Sequence, residues 1–333
     1  MTMGLLSALL ATNQPAAVSN VIQQQTGIAV AIPGQKDPET VELENIMRDD
    51  DDAMAEVNGW ISTNAIPLTN QIARLAFQQR IRERLKVVQD EYTGYLRNHP
   101  ESARGYLAYG SFLNDIGDET AAEAQYENSR QLDPKNPAVW NNLANYYGEY
   151  GDVTNAFADY EEAIRLDPTE PVYFQNFATT VYLYRKDAKA YYHIDEQQTF
   201  DKALGLYRQA MKLEPENLVL ATDYAESYYG IRPLRTNDAL MAWSNALVIA
   251  RDDNEREGVR LHLARVNIAA GFYREATRQL DLVTNTAYAS MRRELRRSLV
   301  EHQKNSKTAN NPDGRTSTGP NPAPSVASPP ASP

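Results

Sequence analysis

Side chains able to do covalent or acid–base chemistry are few and scattered in this chain. The four histidines, His99, His193, His262 and His302, lie at least 40 residues apart. There is no cysteine, which removes thiol nucleophiles, Cys-ligated metals and disulfides. His193 has Asp195 and Glu196 close by, but a lone histidine in so polar a stretch reads as a surface residue. The sequence contains no phosphate-cradling G-x-x-x-x-G-K-[ST], no G-x-G-x-x-G, no G-x-S-x-G and no H-E-x-x-H. The Asp49–Asp52 run lacks the glycine and alternating ligands of a calcium loop. No catalytic, cofactor-binding or metal-ligating residue is therefore assigned, no cofactor is expected, and the chain does not read as an enzyme. The side chains that do gather are carboxamides: Asn141, Asn142 and Asn145, then Gln175 and Asn176. A carboxamide donates and accepts at once, so it can pair with a peptide backbone whatever the peptide's side chains are.

Those amides sit in a periodic frame. Pro100, Pro134 and Pro168 are each 34 residues apart, and the last two end the matching runs Gln131-Leu132-Asp133-Pro134 and Arg165-Leu166-Asp167-Pro168. Lys212-Leu213-Glu214-Pro215 is a third version. With Ala103 and Pro137 as position 1, large residues fall at positions 4, 7 and 11 (Tyr106 and Trp140, Tyr109 and Leu143, Leu113 and Tyr147). Small residues fall at position 8 (Gly110, Ala144) and position 20 (Ala122, Ala156), tyrosines at 24 (Tyr126, Tyr160) and glycines at 15 (Gly117, Gly151). Positions 4, 7, 8 and 11 share one face of a helix A, and 20, 24 and 27 one face of a helix B. The small residues permit close approach, Pro137 and Pro171 suit a first helical position, and glycine supplies the turn.

This pattern resembles the tetratricopeptide repeat (TPR), whose large–Leu–Gly–Tyr … Ala–Phe–Ala … Pro motif has a period of about 34 residues. The resemblance runs over roughly 88–290 and is strongest at 100–215. It implies an all-α fold: a right-handed α-α superhelix, or TPR solenoid, with capping helices and disordered termini. Repeats are expected near 103–136, 137–170, 171–217, 218–256 and 257–287, within a solenoid with caps at 69–304. In the fifth repeat Tyr288 replaces the proline, and a long helix near 69–98 and a helix at 288–304 would cover the exposed ends.

Such repeats bind proteins, and the resemblance assigns groove-facing roles to positions 2, 5, 6, 9, 12 and 13 of each helix A. Mapped here, these include Asn141, Asn142, Asn145, Gln175, Asn176, Thr179, Tyr182 and Glu226, with Arg104, Ser111, Asn114, Asp223 and Tyr229 beside them. The lysine at position 5 that clamps a terminal carboxylate in chaperone-binding members is absent, because Leu107, Asn141, Gln175 and Thr222 stand there. The expected function is a scaffold or adaptor that holds a peptide or partner helix of another protein in the concave groove. The alternative is an accessory or regulatory subunit of an enzyme or envelope assembly. That alternative would dock through the 13-residue insertion within 182–200, whose Tyr184, Arg185, Lys186, Tyr191, Tyr192 and His193 offer a second surface, unless the insertion is only structural padding.

The chain's ends differ from this frame. Residues 1–35 carry no charge and hold Met3, Leu5, Leu6, Leu9 and Leu10, which fits a signal h-region lacking a leading base or an apolar tail. Residues 36–56 carry nine carboxylates and two bases, so −7 of the net −11 lies there, and 36–68 reads as a solvated acidic segment. Residues 305–333 hold seven of the eighteen prolines and read as a disordered tail. Arg292, Arg293, Arg296 and Arg297 form one basic helical face, a candidate partner for the acidic segment. The acidic balance argues against nucleic acid as a partner, and no stretch reaches the length of a transmembrane helix. The whole is also similar to uncharacterised bacterial TPR proteins with exported N-termini, which leans the location toward the periplasm.

Overall fold

The computed structural model describes residues 37–63 and 71–309; the signal-like 1–35 and the tail beyond residue 309 lie outside the described residues. Those residues form fourteen α-helices and no strand. They divide into two compact units, one ending at Thr199 and one beginning at Phe200.

The first unit opens with α1 (Pro38–Thr63) and α2 (Gln71–Asn98). α1 corrects the expectation of a solvated acidic segment at 36–68, because that stretch is itself helical and packed. Leu43, Ile46, Ala53 and Val57 recur at helical spacing and are buried. Its carboxylates find partners on α2: Arg84 reaches Asp49 at 2.8 Å and Glu56 at 3.1 Å, and the Tyr92 hydroxyl donates to Asp50 at 3.0 Å. His99 lies 3.2 Å from Glu42. Thr40 caps the start by donating its amide and hydroxyl to Asp37, which holds that carboxyl below its usual range.

The repeats follow as α3 (Ala103–Asp115) with α4 (Glu119–Leu132), and α5 (Pro137–Tyr150) with α6 (Val153–Leu166). The boundaries have local causes. Asp118, Asn136 and Asp152 accept backbone N–H bonds at helix starts, and Pro137 occupies the first turn of α5. In the Leu-Asp-Pro runs, Asp133 and Asp167 each accept the N–H two residues on, at 3.1 and 2.9 Å, which turns the chain between repeats. Gly117 takes a left-handed φ of 80°, as its turn requires. Gly151, expected to do the same, is extended; the Tyr147 ring fills the space its Cβ would need, 2.7 Å away. At Gly110 a Cβ would stand 2.6 Å from the Tyr126 ring, so α3 and α4 meet only because that position is bare. α2 caps this pair by laying Tyr92 against Tyr109 and Phe112, with ring centroids 5.3 and 5.7 Å apart.

α7 (Pro171–Leu183) supplies the third helix A, and the insertion folds as α8 (Arg185–Tyr192). The second unit holds most of α9 (Glu196–Leu213), then α10 (Leu218–Glu226), α11 (Thr236–Ile249), α12 (Asp253–Ala269), α13 (Tyr273–Asp281) and α14 (Ala289–Ala309). Helix B residues Ala203, Tyr207 and Ala210 are buried there. Where the fifth repeat lacks its proline, the buried Glu257 carboxylate accepts from the Thr284 and Asn285 amides at 2.9 and 2.7 Å and fixes the turn instead. α14 closes this end with Leu295 and Leu299 against Leu261, Ile268 and Leu280, and it runs through Ala309, past the expected start of the tail at 305. Arg296 pairs with Asp281 at 2.7 Å in the same unit.

Two consequences are measurable. Gly59 has open space around its Cα whereas Gly110 has none. Gly59→Ala should stabilise the chain by about 0.5–1 kcal/mol, and Gly110→Leu should destabilise it by about 1–3 kcal/mol, in urea denaturation. The second concerns Asp159, which is buried with Oδ2 lacking a hydrogen-bond partner among the described residues. Burial pushes its pKa up to about 6 against the pull of Arg130. An unfolded aspartate titrates near ~3.9. The folded chain thus holds this proton more tightly, and the stability this gives is full below the unfolded value and lost as pH rises through about 6. Asp159→Asn should therefore be more stable than the parent by about 2–3 kcal/mol at neutral pH, a gap that closes below the unfolded pKa. Urea midpoints for both chains across that range check it, and a pH-independent gap would contradict it.

Candidate functional site

Three successive A helices of the first unit, α3, α5 and α7, carry the predicted amides, and the structure joins these into one relay. Asn176 Nδ2 donates to Asn141 Oδ1 at 3.1 Å, Asn141 Nδ2 to Asn142 Oδ1 at 3.3 Å, and Asn142 Nδ2 to Ser111 Oγ at 3.3 Å. Ser111 then donates to the Leu107 carbonyl at 3.2 Å. Residues at neighbouring repeat positions come together on stacked helices, so spacings of 35 and 31 residues become hydrogen bonds. Much of the amide capacity expected to face a ligand is thus spent between repeats, and Asn141 is only 7% exposed.

The relay ends at a cleft of ≈ 360 Å³ lined by Asn114, Asn145, Glu149, Asn176, Thr179 and Tyr184, among others. Tyr160 forms its floor. Burial pushes the Tyr160 phenol up to about 12, so it stays protonated, and it donates to Asn145 Oδ1 at 2.6 Å while accepting from Thr180 Oγ1 at 3.2 Å. That bond commits the oxygen of Asn145 and leaves its NH2 as a donor; the bond to Asn141 commits the NH2 of Asn176 and leaves its oxygen as an acceptor. A donor and an acceptor from consecutive repeats are what one edge of an extended backbone needs.

The other predicted residues are placed elsewhere. Gln175 is half-buried and its carbonyl accepts from Thr179 Oγ1, while the Tyr182 carbonyl lies 3.5 Å from Arg185 Nη1. The insertion surface is divided. Tyr184 turns into the cleft, whereas Tyr191 and Tyr192 pack on Phe157 of α6 with centroids 5.5 and 5.7 Å away. The Tyr192 hydroxyl donates to Glu161 at 2.9 Å, Ala188 is fully buried, and His193 ends α8 with a φ of 53°. Arg185 reaches Glu196 at 3.8 Å, and Lys186 is exposed.

Glu226 belongs to the second unit, where burial and Asp223 raise its pKa against the pull of Arg265. It stands near an aromatic stack that repeat spacing alone did not indicate. His262 lies on Trp243 with centroids 4.2 Å apart, and its Nδ1 is 3.1 Å from the Tyr229 hydroxyl. Burial takes the His262 pKa down to about 4, so this ring is neutral at physiological pH. Glu149 also lines the cleft, and its place at position 13 of helix A is one of the groove positions of the repeat. Among the described residues no group of three His, Asp or Glu side chains could hold a metal ion, and no helix is long and apolar enough to cross a membrane.

A tetratricopeptide repeat model matches residues 137–170, the α5–α6 pair. No curated protein matches the sequence. Among solved structures, PilW, a type IV pilus biogenesis factor, is similar at 13% identity with a TM-score of 0.50, over 69% of this chain and 97% of PilW. YrrB, a TPR protein with an unusual peptide-binding site, is 14% identical with a TM-score of 0.47, over 64% of this chain and 97% of YrrB. PilF of Pseudomonas aeruginosa is 15% identical with a TM-score of 0.46, over 71% of this chain and 90% of that one. At these identities the likeness to PilW is one of fold. One helix pair, residues 137–170, thus matches the tetratricopeptide-repeat model, and the chain shares the all-α repeat fold of PilW.

Proposed function

We propose that this chain is a protein-interaction scaffold that holds an extended peptide segment of a partner along α3, α5 and α7, with the cleft at Asn145 and Asn176 as its anchor. The fold supports the general role. The observation that carries the specific one is the pair of committed amides, which leaves one donor and one acceptor at the same cleft. The Tyr160 and Asn141 bonds hold both groups before any ligand arrives, which lowers the ordering cost of binding. The alternative of docking through the insertion draws less support, because Tyr191 and Tyr192 are spent on Phe157 and Glu161.

A random dodecapeptide display library panned on the full chain tests this. Peptides enriched on the parent should lose about tenfold or more in affinity on Asn145→Ala/Asn176→Ala, as expected for two backbone hydrogen bonds at about 1 kcal/mol each. They should keep their affinity on Lys186→Ala/Lys189→Ala. The reverse pattern would move the site to the insertion.

A further inference from the structure

The cleft carries an electrostatic signature that the repeat pattern does not assign. It lies at the C-terminal ends of three helices: Asn114 is the penultimate residue of α3, Glu149 that of α5, and Leu183 the last of α7. The last turn of a helix carries up to about half a negative charge, reduced at α3, where the Phe112, Leu113 and Asn114 carbonyls accept amides of the turn that follows. Three such ends converge here with the Glu149 carboxylate, and no Lys, Arg or His among the described residues lines the cleft. Glu149 is exposed and lines the cleft, near enough to the Tyr160 hydroxyl to add to the rise in its pKa that burial mainly causes. Tyr184, half-buried at the junction of α7 and α8, adds an aromatic wall, and Leu183 adds apolar surface for an aliphatic stem. Carbonyl ends, one carboxylate, an aromatic ring and an apolar edge are the complement of a long cationic side chain.

We propose that the cleft is a specificity pocket for a lysine or arginine side chain of the bound peptide, its cationic head set between Glu149 and Tyr184 and its backbone on Asn145 and Asn176. This rests on the peptide-groove reading above and adds the chemistry of the partner: an extended segment with a basic residue. It is opposite in sign to the lysine clamp for a terminal carboxylate, whose residues this chain lacks.

The test is an NMR titration of the full chain with three blocked nonapeptides of one Gly/Ser/Ala sequence. Their central residue is Lys, Gln or Glu, and the readout is the side-chain NH2 signals of Asn145 and Asn176. The lysine peptide should shift both signals with a Kd at least tenfold below that of the glutamine peptide, and the glutamate peptide should leave them unmoved. Glu149→Gln, an exposed position, should remove the lysine preference, so that the lysine and glutamine peptides bind this variant within about twofold of each other. Tyr184→Leu should weaken the lysine peptide several-fold. Equal affinities of the lysine and glutamine peptides, both at the cleft, would overturn the basic preference and leave the peptide groove standing. No shift of Asn145 or Asn176 with any peptide would overturn both readings. Shifts confined to the backbone amides of Asp51 and Asp52 in α1, followed in the same spectra, would show mere attraction of a cationic peptide to an acidic chain and would likewise overturn the pocket.

Discussion

Close approach within each helix pair is the constraint on which the rest of the structure depends. The Tyr126 ring lies against α3 where residue 110 has no side chain, and Ala122, Ala144, Ala156 and Ala178 are all fully buried at the other small positions. Bringing helices this near aligns successive A helices closely enough for Asn176, Asn141, Asn142 and Ser111 to bond across three of them. It also lets Tyr160 on α6 reach Asn145 on α5 and fix the amide that faces the cleft. Packing that stabilises the fold and polar geometry that serves binding are thus one arrangement, because the same tyrosine fills the core with its ring and orients the site with its hydroxyl.

The ends of the described chain solve a second problem. A repeat exposes an apolar face unless something covers it. At the N-terminal side the cover is an acidic helix, and its burial is tolerable because Arg84, His99 and Tyr92 meet the carboxylates that would otherwise repel one another. Asp50 shows the cost. Burial and its neighbours Asp115, Asp51 and Asp49 raise its pKa to about 6 although the Tyr92 hydroxyl bonds it. At the other end Leu295 and Leu299 of α14 do the covering, while the arginines of its outer face remain largely in solvent.

The repeat frame was legible because its signals are local. Prolines, Asp133, Asp167 and the small residues act within a turn or between adjacent helices, so a 34-residue period exposes them. α1 was less legible, although Leu43, Ile46, Ala53 and Val57 keep helical spacing, because the partners that neutralise its charge lie on another helix more than thirty residues on. The packing of the insertion was illegible for the same reason. Nothing local tells that Tyr191 and Tyr192 meet Phe157 while Tyr184 faces the other way. The amides were found by position, but their mutual bonding depends on the stacking of whole repeats. Glu149 matters for where its helix ends, which becomes visible only beside the ends of α3 and α7.

Site-specific photo-crosslinking tests the central claim most directly. Benzoylphenylalanine placed at Leu183, in the cleft, or at Lys189, on the insertion helix, would be irradiated in the full chain with the peptide recovered from library panning. Groove binding predicts an adduct from position 183 and none from position 189. An adduct from 189 alone would contradict it and assign binding to the insertion.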